Sequence, residues 1–211
     1  MGGGGGMDVM QLRRAIIAAG KKSLLPPGYQ QVEWIGSTGT QCIDTGYVPS
    51  MNTNIILTKG STPNASHFTF IFGAGNDSPN QFGLNGYFMN YFGKFNQAIQ
   101  NNKQQDACTI KILHGIVYID DVEYLDLSDA TGPNQPMMSI MLFCREGRNG
   151  YERFITMNLY GFEMYEGTTP VRKMIPCYRK SDSEIGMYDT VSGTFYTNSG
   201  TDTFTKGNDV N

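Results

Sequence analysis

The densest run of carboxylates in the chain is Asp121-Val122-Glu123-Tyr124-Leu125-Asp126, with Asp120 just before it. On a strand, residues two apart share a face, so Asp121 and Glu123 stand as a nucleophile and acid pair would. Retaining glycosidase chemistry holds its two carboxyl groups about 5 to 5.5 Å apart. Asp121 and Asp126 are each a methylene shorter than Glu, and Asp120-Asp121 is also the best hairpin-turn signal in the chain. A turn cannot be the centre of a concave catalytic strand, so the run reads as a hairpin and no catalytic residue is assigned. His67 and His114 are the only histidines; both fall in strand-like runs with no Ser or Cys elbow nearby, and both read as structural. No His, Cys or carboxylate spacing fits zinc, and no glycine-rich loop has a phosphate-binding pattern. No cofactor is expected; calcium is the one ion for which a loop offers oxygen ligands, through Asp77 and nearby carbonyls.

Binding chemistry has better candidates. Asn76, Asp77, Asn80 and Gln81 form an amide-rich loop, and Phe82 to Phe95 follows it with Tyr87, Phe88, Tyr91 and Phe92. Sugars lay their apolar faces on exposed rings and have their hydroxyls read by amides. Asn76, Asp77, Asn80, Gln81, Tyr87 and Tyr91 are therefore the expected ligand-binding residues. The competing reading is that these rings fill a core, as aromatics commonly do between packed sheets.

The elements that would position these residues are strands. In the stretch 158–198, short apolar runs are closed by Glu166-Gly167-Thr168-Thr169-Pro170, Ser181-Asp182-Ser183 and Ser192-Gly193. Tyr160, Phe162 and Met164 alternate with small or polar residues and are expected on one face. Met174 to Tyr178 is apolar on both faces, yet Pro176 cannot donate to a ladder, so a bulge or one-sided edge is expected there. Further strands are expected over Tyr29 to Ile35, Gln41 to Thr45, Asn54 to Thr58, His67 to Phe72, Ile110 to Leu113, Ile116 to Ile119, Val122 to Tyr124 and Met138 to Cys144. Gly73 to Asn80, Gln97 to Gln105 and Arg145 to Tyr151 read as loops. Strands punctuated about every ten residues, without interleaved helices, predict an all-β antiparallel sandwich.

The chain has 211 residues, 12% aromatic and 17% charged, which favours one packed β domain over disorder. Its net charge is −3 with no basic stripe, so nucleic acid is not an expected partner. No apolar stretch is long enough to span a membrane. Cys42, Cys108, Cys144 and Cys177 lie far apart in apolar runs and read as buried, reduced thiols. The domain boundaries expected are 1–7, a linker or vector scar; 8–23, a helix and tether; 24–206, the sandwich; and 207–211, a tail. Asp8 to Ala19 can be capped by Asp8 and closed by Gly20, Lys21 and Lys22. Val9, Leu12 and Ile16 give that helix a stripe suited to anchoring on a neighbouring subunit. Arg13 and Arg14 interrupt it, so it does not read as a signal peptide.

Two stretches carry a resemblance. Leu25-Pro26-Pro27-Gly28-Tyr29, Gln31-Val32-Glu33-Trp34-Ile35, Ser37-Thr38-Gly39-Thr40-Gln41 and Ile43-Asp44-Thr45-Gly46 resemble the opening of the concanavalin A-like, laminin-G-like jelly-roll modules of gut-bacterial and phage-encoded proteins. Val171-Arg172, Ile175 to Lys180, Ile185-Gly186-Met187-Tyr188-Asp189 and Phe195 to Thr201 look like their close. Cys42 stands where an aromatic is usual in that family. The resemblance implies a jelly roll with its first and last segments adjacent, preceded by a short N-terminal α-helix. It implies a non-enzymatic virion, fibre or decoration module that binds glycans or a host-surface receptor, or a purely structural subunit-contact protein. Laminarinase-type glycosidases share the fold, with Glu first and last in an acid-x-acid-x-x-acid run, and they are the enzymatic alternative. The helix at 8–19 is similar to leader helices of phage virion proteins and implies neighbouring virion subunits as partners. A homotrimer and a location on a virion or cell surface are further family expectations.

Overall fold

The structure, a computed structural model, describes residues 24–75, 81–132, 136–147 and 150–210. The expected helix over 8–23, with Val9, Leu12 and Ile16, lies outside the described residues, as do Asn76, Asp77 and Asn80. In chain order the first strands are β1 (Tyr29–Gln31), β2 (Ile35–Thr38), β3 (Ile43–Asp44), β4 (Thr53–Lys59), β5 (Phe70–Ala74), β6 (Phe82–Asn85), β7 (Phe88–Tyr91) and β8 (Lys94–Ala98). A 3₁₀ turn at Gln100–Gln105 leads to β9 (Cys108–Leu113), β10 (Ile116–Ile119), β11 (Val122–Asp126), β12 (Met141–Leu142), β13 (Arg145–Gly147) and β14 (Gly150–Glu152). The last strands are β15 (Thr156–Glu166), β16 (Thr169–Arg179), β17 (Ile185–Asp189), β18 (Thr194–Tyr196) and β19 (Thr205–Lys206).

Among the described residues the strands form two main antiparallel sheets and a small hairpin, β13–β14. The larger sheet runs β11-β10-β9-β4-β15-β16-β17-β18, with β2 beside β15, β19 beside β2 and β1 beside β16. The smaller runs β3-β12-β5-β6-β7-β8. Ile55, Leu57, Ile110, Ile112, Phe162 and Met164 from the larger sheet meet Phe72, Phe82, Leu84, Met89 and Leu142 from the smaller in one buried cluster. Two sheets sharing one core make a β-sandwich, and each of these side chains contributes about 1.5 to 3 kcal/mol by leaving water. The tight hairpins are built as their residues dictate. His114-Gly115 and Asp120-Asp121 both hold left-handed φ at both central positions, which matches the twist of the strands they join.

β15 and β16 are each eleven residues long and change neighbours partway along one edge. Residues 156–159 of β15 pair with β2, and residues 162–166 pair with β16. Along its other edge β15 follows β4, where Leu159 faces Lys59 and Gly161 faces Thr58, so Tyr160 is an extra residue. That bulge inverts the alternation: Leu159 and Phe162 both point inward, and Tyr160 does not share a face with Phe162 and Met164 as the sequence pattern predicts. On β16 the register with β15 ends at Met174 and that with β1 begins at Cys177. Pro176 sits in the gap, where it needs no donor on that edge, and its carbonyl accepts from Val32 N at 3.0 Å. The expected one-sided edge is therefore a handover between two neighbours.

Other expectations are corrected. Tyr29 to Ile35 is two strands broken at 32–34, and Val32 bridges Asp209 instead. Residues 207–210 are no loose tail, since Gly207 N donates to Trp34 O at 3.0 Å and Val210 N to Gln31 O at 2.9 Å. The first and last described segments thus lie side by side. Of Met138 to Cys144 only Met141–Leu142 is strand, because Phe143 takes a left-handed φ of 68°. Arg145 to Tyr151, expected as a loop, carries β13 and part of β14. His67, Phe68 and Thr69 turn before β5 begins at Phe70, and His114 sits in a turn, so both histidines are exposed and neither is a buried structural residue. All four cysteines are buried and free.

One carboxylate closes the open end between the 45–53 loop and the β15–β16 turn. Glu166 accepts from the Tyr47 hydroxyl at 2.7 Å, from Thr53 Oγ1 at 3.2 Å and from the Ser50 hydroxyl. Burial works to raise its pKa, but the bonds from Ser50, Tyr47 and Thr53 together outweigh that and hold it below the ordinary 4.5. Burial, then the bond to Glu166, pushes Tyr47 up to about 12, so its hydroxyl remains a donor. A carboxylate with a depressed folded pKa stabilises the fold above its unfolded value and loses that contribution as pH falls through the folded one. Urea midpoints should therefore fall for the wild type below about pH 4.5, and the Glu166→Gln variant, weaker at pH 7, should lose less over the same window. Parallel pH profiles for the two proteins would contradict the clamp.

Candidate functional site

The strongest surface feature lies on the outer face of the smaller sheet. Phe82 and Leu84 of β6 point into the core, so Gly83 between them opens outward. A Cβ at Gly83 or at Gly73 would press on the Phe70 ring, at 3.3 and 2.9 Å. Phe70 is therefore laid flat over two glycines, outside the main core. Arg145 covers it, with its guanidinium carbon 5.3 Å from the ring centroid. Arg145 Nε donates to Glu152 Oε1 at 3.0 Å, which fixes the β13–β14 hairpin over the ring. A planar cation over a ring, tied by a carboxylate, is a rigid support.

Next to this support the chain presents a row of rings, His67 and Phe68 exposed and Tyr87 and Phe88 half-buried. Phe68 is 59% exposed. It stands 4.2 Å from the His67 ring, which is 5.9 Å from Tyr87; Tyr87 is 6.2 Å from Phe88. The Arg153 guanidinium lies 5.3 Å from the Phe68 centroid, and Arg153 O accepts from Phe70 N at 2.9 Å. The row is held by Asn85. Its side-chain oxygen accepts from Tyr87 N at 2.8 Å and Phe88 N at 2.6 Å, while its amide donates to His67 O at 3.3 Å. One buried amide thus fastens the 66–69 turn to the 85–88 turn. Behind it, Gln104 and Gln105 both donate to Gly86 O, at 2.8 and 2.9 Å. Rings held at fixed spacing beside a guanidinium can stack on an apolar sugar face and donate to its oxygens.

Of the expected ligand residues, Tyr87 belongs to this row, half-buried. Tyr91 does not: it pairs with Phe82 across β6–β7, faces inward, and is 2% exposed with its hydroxyl on Met51 O at 3.2 Å. Its ring packs edge-on against Phe92 at 5.0 Å, so for Tyr91 and Phe92 the core reading holds. Gln81 is buried as well. His67, Phe68, Phe88 and Arg153, the other members of the row, are not among the expected residues. Phe68 reads as inward because Phe68, Phe70 and Phe72 recur at period two, and the turn signal that breaks the period is the unobtrusive Ser66-His67.

The carboxylate run lies elsewhere, on β11, an edge strand of the larger sheet. Asp121 is in the hairpin turn and is ion-paired with Lys111. Asp126 accepts from Ser128 N at 2.9 Å, and the bonds from Ser128 lower its pKa, the opposite of what a general acid needs. Among the described residues no group of three or more His, Cys, Asp or Glu side chains is placed to hold a metal ion, and no helix is long and apolar enough to cross a membrane. Comparison of the chain with family models, curated proteins and solved structures finds no match.

Gly83→Ala should test the support. The new methyl would meet Phe72 O at 2.8 Å and Gly73 Cα at 2.9 Å, backbone atoms that cannot step aside. A loss of about 1 to 3 kcal/mol in urea unfolding is expected, the cost typical of overpacking. A neutral outcome would mean that β5 and β6 do not approach this closely at Gly83.

Proposed function

We propose that the chain is a non-enzymatic binding module that holds a glycan, or a glycosylated host-surface receptor, on the face built by His67, Phe68, Tyr87, Phe88 and Arg153. The observation that carries this reading is Phe68, a large apolar ring that stays in water with a tilted histidine ring beside it and a guanidinium over it. Isolated exposed rings are ordinary, but a pre-ordered row of them costs little entropy on binding. The sandwich is read as a jelly roll of the concanavalin A-like, laminin-G-like kind. Support comes from the opening and closing motifs and from the pairing of β1 with β16, where Tyr29 faces Arg179 and Gln31 faces Cys177. The resemblance places such a module on a phage or prophage virion or fibre, with residues 8–23 as its anchor to neighbouring subunits.

A second reading, a purely structural subunit-contact protein, is favoured by the edge strand β11, whose Val122 is 57% exposed. An open edge with an apolar residue can accept a neighbour's strand. A broad glycan and mucin array probed with the purified protein separates the two. Binding to a defined glycan class, weakened about tenfold or more in Phe68→Ala and Tyr87→Ala as for central aromatic anchors, is the expected result. A flat response across the array would overturn the glycan reading and leave the contact role.

A further inference from the structure

Two of the four thiols are brought together by a break in strand alternation. Asp44 pairs with Met141 and Ile43 with Leu142, and that register carried one step further would set Cys42 opposite Phe143. Regular alternation would send Phe143 outward beside Cys42 and Cys144 inward. The left-handed φ of 68° at Phe143 prevents this. Leu142 and Phe143 both enter the main core, where Phe143 meets Phe204 with ring centroids 5.3 Å apart. Met141 and Cys144 are both turned outward and form a separate buried cluster with Cys42, against Phe154. The Cys42 thiol is the neighbour that most raises the Cys144 pKa, in keeping with the shared cluster. Cys108 and Cys177 belong to the larger sheet, on β9 and β16, and have no such neighbour.

We propose that Cys42 and Cys144 are a latent disulfide site, closed by exchange with a low-molecular-weight disulfide such as oxidised glutathione. One protein thiolate attacks the small disulfide, forming a mixed disulfide and releasing one small thiol. The second protein thiolate then attacks the protein sulfur of that adduct and releases the other. Two S–H bonds of the protein are lost, one S–S bond is formed, and the two electrons and two protons end on two small thiols.

The bond would close a loop of about a hundred residues, a span for which cross-linking restricts the unfolded chain strongly. It would fasten β3, an edge strand of the smaller sheet, to the lead into the β13–β14 hairpin that covers Phe70. It would also secure the 198–201 turn, because Asn198 Oδ1 accepts from Cys42 N at 3.0 Å and Cys42 O accepts from Ser199 N at 2.8 Å. The neighbouring Cys42 thiol, then burial, raises the Cys144 pKa, so its thiolate is scarce and exchange in the folded protein is slow.

The test is to incubate the reduced full chain with oxidised glutathione at mildly alkaline pH, block remaining thiols, digest and map by mass spectrometry. The expected protein has lost two hydrogens. It shows two of its four thiols to alkylation in denaturant, yields a peptide pair joined through Cys42 and Cys144, and has a higher urea midpoint than the reduced form. The Cys108→Ala variant should give the same linkage, and Cys144→Ala should give none. Four remaining thiols, glutathione adducts without a crosslink, or linkage through Cys108 or Cys177 would overturn the proposal. The wild-type map decides the matter even if Cys144→Ala does not fold.

Discussion

Backbone pairing on one edge of two long strands is the constraint from which the rest of the structure follows. β15 and β16 each serve two neighbours in succession on that edge, and no regular ladder can do this without an interruption. On β15 the interruption is the extra residue Tyr160; on β16 it is Pro176, which has no N–H to leave unsatisfied. With those two breaks in place, early strands β1 and β2 join the late strands, and β19 closes beside β2. The side-chain sets of Leu159 and Phe162 then face one core, and the smaller sheet can be laid over it.

The smaller sheet turns that frame into a surface. Its inward residues are ordinary large apolar groups, but its outer face is made from glycines and a ring. Gly73 and Gly83 lower the sheet surface enough for Phe70 to lie on it beneath Arg145. Beside this sealed area, Asn85 sets two turns at fixed separation; His67 and Phe68 on the first are exposed, and Tyr87 and Phe88 on the second are half-buried. Rigidity and exposure therefore come from different residues, which is what a preorganised binding face requires.

Much of the fold was legible in the sequence because it depends on period two and on turn formers. The Asp120-Asp121 hairpin, the β16 core strand and the buried thiols follow from local rules. What was not legible depends on partners distant in sequence. Lys59 extends β4 into a buried position and donates to Gly60 O at 2.9 Å and Asp106 O at 2.8 Å, although a lysine at that place looks like a solvated strand end. The bulge at Tyr160 appears only when β4 and β2 are both laid against β15. The proposed face is half legible: Tyr87 is among the expected residues, while Phe68 is hidden by an alternation that begins at Phe70 and not at His67. Arg153 carries no local signal at all, because its role is to stand over a ring eighty-odd positions away.

The central claim is that this frame holds a glycan on one outer face of the smaller sheet. Its most direct measurement is nuclear magnetic resonance mapping, by titrating the labelled protein with the best-bound sugar from an array and following backbone and ring resonances. The account predicts shifts centred on His67, Phe68, Tyr87, Phe88 and Arg153, with β11 of the larger sheet unmoved. Shifts concentrated along β11 would contradict it.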